Sequence, residues 1–263
     1  MSSDQARSYH SLTFLDGFEN VVDEDNPGYS ELIYLDAQNT WDDWHLIPAT
    51  RPEFAAPKGK NKFVTIPGRS YSSVDISEAV VPYPLYGYRE GTLSFYVDND
   101  HEPWVSLYRR IADYLHGAKR LVILDDQPDF YYEGRFQVEW KNTKDYSTVD
   151  IHYKLLPYKH DVLSSCDDWL WDPFDFENGV INRVNEITLS SDHWVGVTLI
   201  GRQERTCPTI VCSGEAHVVF DGYDYSLKQG LNRNPLILLQ PGENELGFRG
   251  TGTVSIMYRG GML

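Results

Sequence analysis

Hydrophobic and polar residues alternate along much of this chain, and the alternation predicts strands. Leu93, Phe95 and Val97 share one side of residues 91–98, with Thr92, Ser94, Tyr96 and Asp98 on the other. That is the period of two of a half-buried strand. Val149, Ile151, Tyr153 and Leu155 alternate in the same way with Thr148, Asp150, His152 and Lys154. Residues 63–66 form another short run, and the Pro67-Gly68 turn before Val74-Asp75-Ile76 predicts a hairpin. Residues 121–124 are unbroken apolar and read as a buried strand; 125–129 turn the chain and 130–140 return it. One stretch has a different period. Trp104, Leu107, Tyr108, Ile111, Ala112 and Leu115 form a stripe at helical spacing over 103–116, and Arg109, Arg110 and Asp113 fall off it. A helix with one face on a sheet is expected there, with Pro103 at its first position and Gly117 past its end.

Upstream, residues 11–35 read as strand, acidic turn and strand, the turn being Asp23-Glu24-Asp25-Asn26-Pro27-Gly28. Pro48, Pro52 and Pro57 exclude regular helix and predict an ordered extended loop. The pattern breaks over 158–170, through Lys159-His160-Asp161 and Cys166-Asp167-Asp168. A boundary is placed there, giving domains of residues 1–160 and 161–263; whether the last residues pack back on the first domain is left open. Beyond it, short strands at 194–200, 208–213, 216–221, 235–239, 245–249 and 253–258 predict a β-sandwich. The expected fold is mostly β, with one α-helix in the first domain.

Composition narrows the function classes. The 263 residues carry 41% hydrophobic residues and a formal net charge of −16. The first is enough for globular cores; the second is the wrong sign for gripping nucleic acid or anionic membranes. Three cysteines are too few for a disulfide framework. The chain opens without a signal-peptide pattern, and no apolar run approaches the ~20 residues that span a bilayer. A soluble protein folded in a reducing cytosol is expected.

Candidate chemistry is sparse. Asp42 and Asp43, between Trp41 and Trp44, evoke the paired acids of a glycosidase. Adjacent residues are poorly placed for that work, and a loop anchored by two rings is the plainer reading. Asp125, Asp126 and Asp129 suit a turn better than a cation site. The acidic turn at 23–28 starts like a calcium loop, but Tyr34 stands where its bidentate Glu is needed. Cys207 and Cys212 lack the spacing and histidine partners of a zinc site, and read as buried thiols. No catalytic residue, cofactor or metal site is expected.

The run Asn39-Thr40-Trp41-Asp42-Asp43-Trp44-His45-Leu46-Ile47-Pro48, then Arg51-Pro52, resembles the N-terminal signature of phage distal tail proteins (Dit). The resemblance continues through Ile66-Pro67-Gly68, Tyr88-Arg89-Glu90-Gly91, Tyr114-Leu115-His116-Gly117, Tyr131-Tyr132-Glu133-Gly134-Arg135 and Asp145-Tyr146-Ser147-Thr148. It resumes at Pro241-Gly242-Glu243-Asn244, Gly250/Gly252 and Tyr258-Arg259-Gly260-Gly261. It is weak over 160–235. It implies a tail-tube-like β domain with one helix, six copies of which form a ring continuing the tail tube, and a C-terminal galectin-like β-sandwich. It implies a structural virion protein of the tail tip, assembled in the host cytoplasm. The implied partners are the chain itself as a homohexamer, the tail-tube protein, a tail-associated tip protein and receptor-binding proteins. DNA would pass through the lumen without specific binding, and no membrane is involved.

Six residues are the expected contact points: Trp41, Trp44, Ile47 and Arg51 in the first domain, and Tyr223 and Tyr225, read as an exposed turn, in the second. Arg51 would pair with a carboxylate of its own chain or of a neighbour. Trp194, beside His193, is the other aromatic candidate, and its lead into an alternating strand predicts a core position. Two other classes stay in view: a carbohydrate-binding module contributing to cell-wall adsorption, and a glycan-degrading enzyme.

Overall fold

The structure is a computed structural model that describes residues 33–68, 74–80, 83–97, 103–142, 146–166 and 184–263. The chain divides into two compact units, Met1–Gln127 with Tyr132–Pro157, and Pro128–Tyr131 with Tyr158–Leu263. Most of the strand–turn–strand expected over 11–35, including its acidic turn, lies outside the described residues.

The first unit contains β1 (Ile33–Leu35), β2 (Gln38–Asn39), β3 (Leu46–Pro48), β4 (Phe63–Val64), β5 (Val74–Asp75), α1 (Ser77–Val80), β6 (Arg89–Val97), α2 (Trp104–Leu115), β7 (Lys119–Leu124), β8 (Phe130–Asn142) and β9 (Ser147–Leu155); the first two residues of β8 count with the second unit. Its main sheet runs β2-β1-β7-β8-β9-β6-β3, antiparallel throughout. The alternation in β6 and β9 now has its cause. Their register sets Phe95 opposite Val149 and Leu93 opposite Ile151, so one face is apolar. Leu107, Ile111 and Leu115 of α2 cover that face and are buried with Phe95, Phe136, Val149 and Ile151 in a single core. Pro103 is the helix's N-cap in an extended conformation, one place earlier than expected.

The opposite face of the sheet is a ladder of cross-strand charges. Lys154 meets Glu90 at 2.6 Å, Lys141 meets Asp150 at 2.6 Å, Lys119 meets Glu133, and His152 stands 3.5 Å from Glu139. Asp150 is buried, unlike the rest of the ladder, and accepts a hydrogen bond from Ser94 Oγ at 2.6 Å. Burial alone would raise its pKa. The hydrogen bonds from Lys141 and Ser94 outweigh it and hold the carboxyl below its ordinary value.

The second unit contains β10 (Lys159–Asp161), β11 (Ile187–Thr188), β12 (Val195–Gly201), β13 (Thr209–Cys212), β14 (Ala216–Phe220), β15 (Tyr223–Leu227), β16 (Gly230–Asn232), β17 (Gly242–Gly250), β18 (Thr253–Met257) and β19 (Gly261–Met262). Two four-stranded antiparallel sheets, β11-β18-β13-β16 and β12-β17-β14-β15, contribute to one core. Ile210, Val254 and Ile256 come from the first; Leu199, Val218, Leu246 and Phe248 come from the second. A shared core between two antiparallel sheets is the sandwich arrangement.

Four expectations need correction here. The break at 158–170 contains a strand, β10, which pairs with β19 and with the start of β8 through His160–Gly261 and Asp161–Phe130. Residues 235–239 form no strand; Leu239 makes one bridge to Thr206, and Ile237 and Leu239 are buried as loop residues. Tyr223 and Tyr225 lie in β15. The turn before them is Asp221-Gly222, with φ of 50° and 79°, which is the two-residue hairpin that Asp-Gly favours. Trp194 is 40% exposed and is not a core residue. No helix among the described residues is long and apolar enough to cross a membrane.

Candidate functional site

The loop 41–51 begins with a single tight turn. His45 N–H donates to the Trp41 carbonyl at 2.8 Å and Leu46 N–H to that of Thr40 at 2.9 Å. The turn is held by the very carboxylates that evoke catalysis. Asp43 accepts from Asn39 N–H at 2.7 Å, and Asp42 from the Asn39 side-chain amide at 2.7 Å. Local side-chain bonds of this kind are what make Asn and Asp turn residues.

The turn sends its two tryptophans to different places. Trp44 is fully buried, donates Nε1–H to Gln38 Oε1 at 3.1 Å, and sets its ring edge-on to Tyr114 at 5.9 Å. Its expected contact role is corrected: no surface of the ring is left for a partner. Trp41 is 39% exposed, against the His45 ring. In β3, Leu46 points in and Ile47 points out. Ile47 pairs in register with exposed Tyr96, whose ring meets that of exposed Tyr146 at 6.0 Å. Ile47 therefore belongs to an apolar edge with two tyrosines that were not singled out from sequence. The alternation put Tyr96 on the polar face, where an exposed ring was the available signal.

Arg51 pairs within its own chain, with Nη2 2.6 Å from Asp126 Oδ2. Asp125 hydrogen-bonds Tyr34, whose pKa is pushed up to about 12, first by burial and then by the charges of Asp125 and Asp42. Two carboxylates of the 125–129 turn are thus engaged in structure. Among the described residues no group of His, Cys, Asp and Glu is arranged to hold a metal ion. Cys212 is buried, which raises its thiol pKa, and Cys207 lies with Sγ 3.2 Å from the Asn234 carbonyl.

In the second unit, Tyr223 and Tyr225 are two apart on edge strand β15. Tyr225 is half-buried against the core, and Tyr223 is 67% exposed beyond it. The other face of that sheet carries Trp194. Register aligns Gly196 with Gly247 and Arg249 with His217. The Trp194 ring lies over the Gly247 position, and the Arg249 guanidinium sits 4.8 Å from its centroid. His217 Nδ1 and Asp224 Oδ1 are 3.0 Å apart on the same face. An exposed ring bordered by polar groups is the result.

Among the described residues, a mostly-β chain of two units, with a twelve-residue helix against the first sheet, is the class these observations define. No family model matches the sequence, and no curated protein does. Among solved structures, the chain is similar to the SPP1 Dit (gp 19.1) protein, presented as a paradigm of the hub adsorption apparatus in Gram-positive infecting phages. The TM-score is 0.55 at 17% identity, covering 88% of this chain and 99% of that one. The likeness is one of fold, and it is the fold that the resemblance in the sequence led us to expect.

Proposed function

We propose that this protein is a structural virion subunit of a phage tail tip, not an enzyme, and that six copies form a ring continuing the tail tube. The observation that carries the reading is the fold match to the SPP1 Dit protein along nearly the full length of both chains. A match confined to one sheet would support only a shared domain. In this reading residues 1–160 build the ring, and the galectin-like second domain docks the tail-associated tip protein and receptor-binding proteins. The tail-tube protein stacks on the ring, and DNA passes through the lumen unbound. Exposed Trp41, Ile47 and Tyr223 supply contact surface, as aromatic and aliphatic side chains commonly do at interfaces.

Electron micrographs of the purified full-length protein test this. Six-fold rings, alone or after mixing with tail-tube protein, are the expected result; monomers under both conditions would refute it.

One observation favours a second reading, saccharide binding by the second unit. Trp194 is 40% exposed with the Arg249 guanidinium over its ring, and the His217–Asp224 pair lies on the same face of the sheet; exposed aromatic surface among polar groups is what sugar sites use. Calorimetric titration with cell-wall saccharide separates the readings: docking predicts no heat, and binding abolished by Trp194→Ala would establish the alternative.

A further inference from the structure

The most exposed large apolar side chains among the described residues are Leu231, at 73%, and Leu236, at 68%. Both belong to the second unit, at the β16 edge of the sheet β11-β18-β13-β16. Leu231 is the middle residue of β16 and pairs in register with half-buried Val211. Alternation puts the two on the outer face of the sheet, away from Ile210 and Cys212, which are in the core. Leu236 stands in the turn that follows β16.

Leucines exposed singly mean little, but these two are held on fixed backbone. Asn232 closes the loop before β16: its Nδ2 donates to the carbonyls of Lys228 at 2.6 Å and Gly230 at 3.0 Å, and its Oδ1 accepts from Lys228 N–H at 2.9 Å. Asn234 closes the next turn. Its Oδ1 accepts from Leu236 N–H and its carbonyl from Ile237 N–H, both at 3.0 Å. Ile237 and Leu239 are then buried and anchor the far end. A partner that covers the leucines does not have to order this backbone first. The Asn232 amide also takes two carbonyls at this edge, which leaves side chains, and not an added strand, as the means of contact.

The charge here is opposite to that of the chain. From Tyr225 to Gly242 there are Lys228 and Arg233 and no acid, against a net charge of −16 overall. The neighbouring strands β13 and β18 carry no charge at all. Among the described residues, the acids nearest in sequence lie elsewhere or are paired. Asp224 pairs with His217 on the other sheet, and Glu204 with His160. Glu186 precedes β11 at the opposite edge, and Glu243 opens β17 in the other sheet. Glu215 lies past the Cys212–Gly230 pair, at the other end of β16 from Arg233.

We propose that Leu231, Leu236, Lys228 and Arg233 form the docking face of the second unit, and that its occupant is an acidic, apolar segment of another virion protein. The inference rests on the tail-tip reading for the existence of such a partner; the face and its chemistry come from the fold. The leucines supply the apolar area that is buried. Arg233, of a residue type enriched at interfaces, and Lys228 steer the encounter and fix its register.

The full-length protein is titrated by calorimetry, separately, with the purified tail-associated tip protein and the purified receptor-binding protein. Wild type is compared with Leu231→Ser plus Leu236→Ser, and with Lys228→Glu plus Arg233→Glu. Circular dichroism checks that each is folded, as surface changes should leave it. One of the two proteins is expected to bind, about tenfold or more weaker to both variants, with wild-type affinity falling as salt rises. Equal binding by wild type and both variants would sink this face and spare the docking reading. No binding of either protein to wild type would overturn both. Loss confined to the leucine variant would overturn the acidic chemistry assigned to the partner. Ultracentrifugation of the chain alone, and with a DNA duplex, completes the test. Self-association or DNA binding that the charge variant abolishes, with the two protein partners unaffected, would overturn the proposal.

Discussion

Trp44 has lost all contact with solvent, while Trp41, three residues earlier, keeps 39% of its surface. The difference comes from one turn of backbone, closed by Asn39, Asp42 and Asp43. Nothing in the order of residue types distinguishes the two rings: both flank the same pair of acids, and a single turn is too short for a period to show. Their consequences diverge. Trp44→Ala opens a cavity against Tyr114 and frees the Gln38 side chain, and should cost about 3–5 kcal/mol. Trp41→Ala should cost under about 0.5 kcal/mol, as surface changes usually do. Chemical denaturation of the two single variants measures both. Comparable losses would mean that Trp41 also supports the fold. Trp194 shows the same weakness of local reading: it precedes an alternating strand and belongs to its outer face.

At the scale of elements, legibility followed length and period. α2, β6 and β9 span 9 to 12 residues each, enough turns or pleats for the apolar face to declare itself. β10 and β19 are three and two residues long and pair with each other across about a hundred residues of chain. Their partners are fixed by tertiary packing, and the local pattern at Lys159-His160-Asp161 holds no trace of it. The charge ladder on the outer face of the first sheet is likewise a product of register, since Asp150 meets Ser94 and Lys141 only once β6, β9 and β8 align. This ladder makes a prediction in pH. The Asp150 carboxyl is held below its ordinary value when folded, so its ionised form stabilises the fold. That contribution is present above the unfolded carboxylate pKa of about 3.9 and is lost as pH falls through the lower folded value. Asp150→Asn should therefore be less stable than wild type at neutral pH and converge with it in acid. Melting curves from pH 7 to pH 2 test the sign; a gap that stays constant with pH would show that the carboxylate's charge is irrelevant there.

For the whole molecule, two cores with no buried residue in common are the central fact. The units are not simple halves of the chain, because Pro128–Tyr131 counts with the second. A boundary read from pattern alone fell within β10, since the lending of four residues across the sequence leaves no compositional mark. The second unit holds its own ends by charge. Arg202 clamps Asp161 with Nε at 2.9 Å and Nη2 at 2.8 Å, and His160 Nε2 stands 2.7 Å from Glu204. These groups bind β10 beside the last strand and the backbone of Gly260 and Gly261. Separate cores predict separable unfolding. In differential scanning calorimetry Arg202→Ala should lower a transition that Trp44→Ala leaves in place, and Trp44→Ala should lower the other. The Arg202 change leaves a half-buried Asp161 without its arginine, a loss somewhat below the roughly 3–5 kcal/mol of breaking a fully buried pair. Asp161→Asn combined with Arg202→Ala should recover part of that loss, because the stranded charge is gone. If both single variants shift one common transition by similar amounts, the two cores unfold as one cooperative unit, and the independence argued from their composition fails.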